Sequence, residues 1–106
     1  MTQEHLIMNS IRLWCGENNI LCFRCNVGKF KIIDHNGNIK WFDTGLPTGF
    51  PDLILLPGDG KIIFCECKTL TGKQKIDQVN FQKMVESYGY TYILARSVED
   101  VSKYFK

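Results

Sequence analysis

The sequence predicts an α/β fold in which a mixed central β-sheet is flanked by α-helices. Apolar residues recur at helical spacing near the N-terminus and again after residue 75. Between these segments, short runs rich in β-branched and aromatic residues are separated by Gly, Pro and Asn turn signals. The chain has 106 residues and 44% hydrophobic residues, enough for one core. We therefore expect a single domain over residues 1–106.

The predicted elements follow the order α-β-β-β-β-β-α-β-α. The first helix carries an apolar stripe made of Leu6, Ile7, Ile11, Leu13 and Trp14. Asn36-Gly37 predicts a tight hairpin turn between the second and third strands. Ser97 and Asp100 resemble a capping box that opens the last helix. The predicted bounds are 3–15, 20–27, 29–33, 39–42, 52–56, 61–68, 76–88, 90–95 and 97–104.

Several classes of protein are disfavoured by composition. No segment approaches the ~20 apolar residues of a membrane span, and the N-terminus resembles no secretory signal. We therefore expect a cytoplasmic protein with no membrane partner. The five cysteines form an odd set, which favours reduced thiols. Cys22-x-x-Cys25 resembles half of a zinc site, but no second pair has suitable spacing.

The net charge of +2 gives little nonspecific attraction to polyanions, but the positive residues are clustered. One group precedes residue 41 and the other follows Glu66, which is consistent either with a basic surface around an acidic centre or with an ordinary solvated face. His5 and His35 are isolated and are interpreted as surface residues. The aromatic residues Trp41, Phe42 and Tyr88 are interpreted as core residues. The two basic groups are Arg24, Lys29, Lys31 and Lys40, then Lys68, Lys73, Lys75 and Lys83.

Three charged residues lie in segments that otherwise resemble buried strands. Glu66 and Lys68 are two residues apart, so both project from one face of their strand, and Cys65 and Cys67 project from the other. A three-residue hairpin loop with Gly60 in the left-handed conformation would pair Asp52 with Glu66, their Cβ atoms about 5 Å apart. A loop of two or four residues would place the two carboxylates on opposite faces.

Paired carboxylates repel each other unless a cation lies between them. Hard oxygen ligands favour Mg²⁺ or Mn²⁺ over zinc. Lys68, on the same face, could stabilise developing charge on a phosphate, and such a site can hydrolyse phosphodiesters. The alternative is an ion pair between Glu66 and Lys68 on an exposed sheet, with Asp52 merely at the start of its strand.

A wider set of motifs extends this pattern over most of the chain. The sequence resembles the PD-(D/E)XK nuclease superfamily, and within it the virus-type replication-repair nuclease family, VRR-NUC. The resemblance implies the restriction-endonuclease-like fold. The matching positions are Arg24-x-Asn26-x-Gly28, Gly49-x-Pro51-Asp52, Glu66-x-Lys68-Thr69, Gly72, Gln78, Gly89 and Ala95-Arg96-Ser97.

The resemblance also implies roles for individual residues. Asp52 and Glu66 would bind the metal, the backbone carbonyl of Cys67 would be a further ligand, and Lys68 would be the catalytic lysine. Gln78 would lie at the site, and Glu4 would complete it through water. Lys75-Ile76 replaces the Ser-Pro cap that is frequent in the family, which leaves the orientation of Gln78 open.

The expected function is a Mg²⁺- or Mn²⁺-dependent DNA endonuclease, and the resemblance implies that it is selective for branched DNA such as four-way junctions. Its small size favours a homodimer whose two sites address two strands. Arg24, Asn26, Lys73 and Lys75 are candidate nucleic-acid contacts, although Arg24 and Asn26 could instead satisfy buried polar groups. The alternatives are a nucleic-acid-binding or assembly module that cuts nothing, and cleavage of RNA.

Overall fold

The computed structural model describes residues 1–106 and contains the predicted elements in the predicted order. The boundaries differ by a few residues. The strand predicted at 20–27 ends at Arg24, and the strand predicted at 61–68 begins at Ile63 and ends at Cys67. The elements are α1 (Gln3–Glu17), β1 (Leu21–Arg24), β2 (Lys29–Ile33), β3 (Ile39–Asp43), β4 (Leu53–Leu56), β5 (Ile63–Cys67), α2 (Ile76–Ser87), β6 (Thr91–Ala95) and α3 (Val98–Ser102), followed by a 3₁₀ turn (Lys103–Phe105).

Four of the strands form a mixed central sheet in the order β1-β4-β5-β6. The β1–β4 and β4–β5 pairs are antiparallel, and the β5–β6 pair is parallel. A parallel pair needs a long crossover, which here contains α2. The α/β class with a mixed sheet is confirmed.

Strands β2 and β3 form a separate two-stranded antiparallel sheet. The predicted mixed central sheet therefore contains four of the six strands. The hairpin turn lies where Asn36-Gly37 predicts it: Gly37 has φ +81°, and the Asp34 N–H donates to the Asn38 carbonyl over 3.0 Å. Every residue of both strands is exposed. The molecule is elongated, with extents of 52 × 32 × 30 Å.

One face of the central sheet packs against α1 and forms the main core. The buried residues of α1 are Met8, Ile11 and Cys15, whereas Leu6 and Leu13 are 52% and 66% exposed, so the predicted stripe is only partly right. Cysteines are among the most buried residue types, and here they act as small apolar residues. The sheet residues in this core include Leu53, Leu55, Ile63, Cys65 and Cys67, all fully buried.

The opposite face packs against α2 through aromatic side chains. Phe81 of α2 lies 5.6 Å from Phe64 of β5 and 5.1 Å from Phe50, both edge to face. Such pairs contribute about 0.5–1.5 kcal/mol each beyond area burial. Glu66 projects from this same face of β5, two residues after Phe64. No helix of the chain is both long and apolar enough to cross a bilayer.

Candidate metal and nucleic-acid site

The β4–β5 register brings the two predicted metal-binding carboxylates together. Leu53 pairs with Cys65 and Leu55 with Ile63. Continued in one direction, this register places Asp52 opposite Glu66. Continued in the other, it leaves a loop of Gly58, Asp59 and Gly60, and Gly60 has φ +84°. The register that the predicted three-residue loop requires is confirmed, although the strands themselves end at Leu56 and begin again at Ile63.

Glu66 and Lys68 are buried, although both are ionisable residues. Their exposed fractions are 1% and 8%, and Asp52 is half-buried. Lys68 forms no ion pair with Glu66. The two ion pairs of the chain are Lys61–Asp59 and Lys103–Asp100. The alternative of an ion pair on an exposed sheet is therefore wrong.

Pro51 and Asp52 leave the carbonyl of Cys67 without its usual partner. The Cys67 N–H donates to Oδ2 of Asp52 over 2.9 Å, so the N–H and carbonyl of Cys67 both face β4. The register, continued two residues, places Pro51 opposite Cys67. Proline has no N–H to donate to this carbonyl. The carbonyl is thus free to bind a cation beside Asp52.

Glu66 contains the one buried side-chain oxygen or nitrogen of the chain that has no hydrogen-bond partner, Oε2. The pKa of Glu66 is raised to about 9, mainly by burial and next by the hydrogen bond and the charge of the neighbouring Asp52 carboxylate, whereas the Lys68 ammonium acts in the opposite direction. An ionised carboxylate left in this environment is costly. A divalent cation between Asp52 and Glu66 would satisfy the free oxygen and remove the repulsion, so these residues fit a hard metal ion.

The donor set also indicates which kind of cation would fit. No group of three or more His, Cys, Asp and Glu side chains is placed to hold a metal ion. The chain therefore offers two carboxylates and one carbonyl, and the remaining ligands would be waters. Mg²⁺ keeps several waters and is commonly held by one or two protein carboxylates.

A cleft of about 440 Å³ opens onto this pair of strands. Five further predicted site residues line it with Asp52, whereas Glu66 and Lys68 lie in the protein interior beside it. The structure thus brings residues from four separate segments to one cleft. The five are Glu4 of α1, Arg24 and Asn26 at the end of β1, and Lys75 and Gln78 at the start of α2.

Gln78 faces the cleft and also caps α2. Its Oε1 accepts the N–H of Lys75 over 2.8 Å, and the Gln78 N–H donates to the Lys75 carbonyl. This reciprocal pair fixes the first turn without the Ser-Pro sequence. The NH₂ group of Gln78 donates no hydrogen bond within the chain, so it is free to donate to a ligand in the cleft.

The remaining predicted contacts differ in their positions. Arg24 and Asn26 are exposed, so the alternative that they satisfy buried polar groups is wrong. Lys75 is exposed at the cleft. Lys73 is also exposed, but it is not among the cleft residues.

Three aromatic residues that were predicted to lie in the core are exposed instead. Trp41, Phe42 and Tyr88 are 68%, 55% and 72% exposed. Trp41 and Phe42 belong to the β2–β3 hairpin, which packs under no helix, and Tyr88 ends α2 on its solvent side.

No protein-family model, curated protein or solved structure matches this chain.

Several cleft residues were missed by sequence reasoning, including His5, Phe30, Thr48 and Asp77. His5 follows Glu4 on α1, and Asp77 precedes Gln78 on α2, so proximity to predicted site residues was the available signal. Phe30 and Thr48 gave no such signal, because the return of the chain from the hairpin to the cleft is a tertiary feature.

Arg96 stabilises the loop that follows Lys68. Its Nη1 donates to the carbonyls of Thr69, Leu70 and Gly72. The backbone N–H of Lys68 donates to the Ala95 carbonyl over 3.0 Å. Strand β6 and Arg96, the residue that follows it, thus hold Lys68 in place from one side.

Gly49 fixes the approach of the loop before Asp52 to α2, and we expect Gly49→Ala to destabilise the fold by about 2–4 kcal/mol. Its φ is +88°, and an added Cβ would lie 2.3 Å from the Asp77 carbonyl oxygen. Urea unfolding measures the loss. The matched control is Gly45→Ala, because Gly45 has φ +82° but no atom within 4 Å of the added Cβ. Equal losses in the two variants would contradict close packing at Gly49.

Proposed function

We propose that this chain is a metal-dependent endonuclease of the VRR-NUC type, with the PD-(D/E)XK fold, that hydrolyses DNA phosphodiester bonds. The observation that carries the proposal is the buried, unpartnered Oε2 of Glu66, held next to Asp52 and the buried Lys68. A chain that needed these residues only for its fold would gain nothing from this cost.

The roles follow from position. Asp52, Glu66 and the Cys67 carbonyl would hold Mg²⁺ or Mn²⁺, and Glu4 would join them through water. The metal supplies Lewis-acid polarisation of the phosphodiester and a nucleophile at neutral pH. Lys68 orients the attacking water and stabilises charge on the phosphate, because its ammonium has no competing ion pair. The NH₂ group of Gln78 can donate to a phosphate oxygen in the cleft.

Nucleic acid would bind at the mouth of the cleft. Arg24, Asn26 and Lys75 line it and offer donors to phosphate oxygens, and Lys73 would contact DNA further along. The proposed substrate is branched DNA such as a four-way junction, cut in the cytoplasm of a bacterial or virus-infected cell.

We also propose a homodimer that forms through β1. This strand is an edge of the central sheet, and its Leu21 and Phe23 are 60% and 53% exposed. An exposed edge with apolar residues favours pairing with another chain. Antiparallel pairing of two β1 strands across a twofold axis would bury these side chains and give two clefts per particle.

The test is cleavage of a labelled four-way junction, a plain duplex and a single strand, each with Mg²⁺, Mn²⁺ or EDTA. We expect metal-dependent cutting that is fastest on the junction and is abolished by Asp52→Asn. The asparagine keeps an oxygen to accept the Cys67 N–H, so the fold should persist. Asp59→Asn, in an exposed turn, is the matched control and should cut normally.

Two outcomes would replace this proposal. DNA binding without cutting by either metal would favour the non-catalytic binding or assembly module. Cutting of the matching RNA strands alone would make the protein a ribonuclease. A duplex cut as fast as the junction would contradict the branch preference but not the nuclease activity.

A further inference from the structure

The β2–β3 hairpin, here called the arm (residues 28–44), is an exposed extension whose two faces both lack a covering helix. The register pairs Lys31 with Trp41 and Lys29 with Asp43, so these four side chains share one face. Trp41 is 68% exposed, the most exposed large apolar side chain in the arm. A tryptophan flanked by lysines is thus presented to solvent on a two-stranded element.

The two aspartates of the arm accept backbone N–H groups and form no ion pairs with its lysines. Oδ1 of Asp34 accepts the N–H groups of Asn36 and Asn38 in the hairpin turn, each over 2.9 Å. Oδ1 of Asp43 accepts the Gly45 N–H over 2.8 Å. The lysines of the arm form no ion pair, because the ion pairs of the chain lie elsewhere. The face around Trp41 therefore carries two lysines without ion pairs and the one carboxylate of Asp43, which leaves a small excess of positive charge for an anionic partner.

The base of the arm adjoins the cleft. Phe30, in β2, and Val27, just before the arm, line the cleft together with Asp52. The Thr44 N–H donates to the Gly28 carbonyl over 3.1 Å and closes the arm at this point. Phe30 lies on the face of the arm opposite Trp41. A strand of nucleic acid bound to the Trp41 face would therefore lie close to the cleft and reach it around the edge of the arm.

We propose that the arm binds single-stranded nucleic acid, with an unpaired base stacked on Trp41 and the flanking phosphates held by Lys29 and Lys31. Aromatic stacking with lysine contacts to the backbone is the general chemistry of single-strand binding. This inference rests on the proposed nuclease function and deepens it, because it makes the preferred substrate one with unpaired bases beside the cleaved bond.

The test measures binding of an oligothymidylate of about 15 nucleotides in EDTA, so that no cutting occurs. Trp14→Phe leaves Trp41 as the only tryptophan, and we expect its fluorescence to be quenched on binding. Trp41→Ala should weaken binding about tenfold or more, measured by anisotropy of the labelled oligonucleotide. Ile39→Ala, on the same exposed face, is the matched control and should change affinity by less than about twofold. Lys31→Ala should reduce the salt slope of log K by about 0.7.

Unquenched Trp41 fluorescence with bound oligonucleotide, or equal affinity of Trp41→Ala and wild type, would overturn the inference. So would a Trp41→Ala protein that has lost a self-associated state in sedimentation, because the arm would then contact a second copy of the chain. Trp41-dependent binding without cutting of any substrate would instead contradict the nuclease proposal and leave the arm's role standing. Cutting without Trp41-dependent binding would overturn the inference about the arm and leave the nuclease proposal standing.

Discussion

Lys68→Met is expected to slow DNA cleavage by about 10²–10³-fold, the usual effect of removing one preorganised donor to transition-state charge. Methionine is similar in length and suits a site that is only 8% exposed, so the fold should persist. Because Lys68 is not a proposed metal ligand, Mn²⁺ affinity should remain within a few-fold of the wild-type value. Single-turnover rates on the preferred substrate and titration calorimetry with Mn²⁺ measure the two quantities separately.

The control for this prediction is Lys61→Met, on the solvent side of the same hairpin. Its ammonium forms a 3.9 Å surface ion pair with Asp59, which contributes little. Cleavage by this variant should be unchanged. A Lys68→Met protein that cuts at the wild-type rate would remove Lys68 from the chemistry. One that loses both cutting and Mn²⁺ binding would show that the lysine acts through the metal ligands.

Glu66→Gln is expected to stabilise the metal-free protein while abolishing metal binding. Oε2 of Glu66 is buried without a partner, and an amide in its place carries no charge to bury. The pKa of Glu66 is raised from 4.5 to about 9 in the folded protein. The folded state therefore keeps a proton that the unfolded chain loses, and wild-type stability falls as pH rises through this window. At its alkaline end, the variant should be more stable by at least ~2 kcal/mol.

Urea unfolding in EDTA, at about pH 5 and about pH 8, tests this prediction. The stability difference between the variant and the wild type should grow with pH. Added Mg²⁺ should stabilise the wild type and leave Glu66→Gln unchanged. Glu86→Gln, on the exposed side of α2, is the matched control and should show neither effect. A Glu66→Gln protein that is less stable at both pH values would mean that the carboxylate supports the fold.

The alternation of side chains between the two faces of a strand predicts much of the candidate site. The spacing of Glu66 and Lys68 fixes a shared face, and the Gly58-Asp59-Gly60 loop sets the register that places Asp52 opposite Glu66. Both inferences need only local geometry, since side chains alternate along a strand and a hairpin loop determines pairing. The same reasoning places Cys65 and Cys67 in the core under α1.

Burial and the grouping of separate elements could not be predicted in the same way. Alternation shows which residues share a face but not what covers that face, so the sequence left open whether Glu66 is buried or exposed. The prediction of a core position for Trp41 fails for the converse reason. An apolar alternating strand predicts a buried face, but β2 and β3 pair only with each other. The orientation of Gln78 depended on a backbone contact with Lys75, which the sequence did not indicate because Lys75 replaces the Ser or Thr that usually begins such a cap.

The Thr44–Gly28 hydrogen bond closes the arm at its base, so the arm can be altered separately from the rest of the chain. The two ends of the arm meet, and no residue of β2 or β3 belongs to either buried cluster. Residues 29–43 therefore form a separable module. They can be lengthened, exchanged or removed by rejoining two neighbouring points of the backbone, without interrupting the central sheet or the segments that carry Asp52, Glu66 and Lys68.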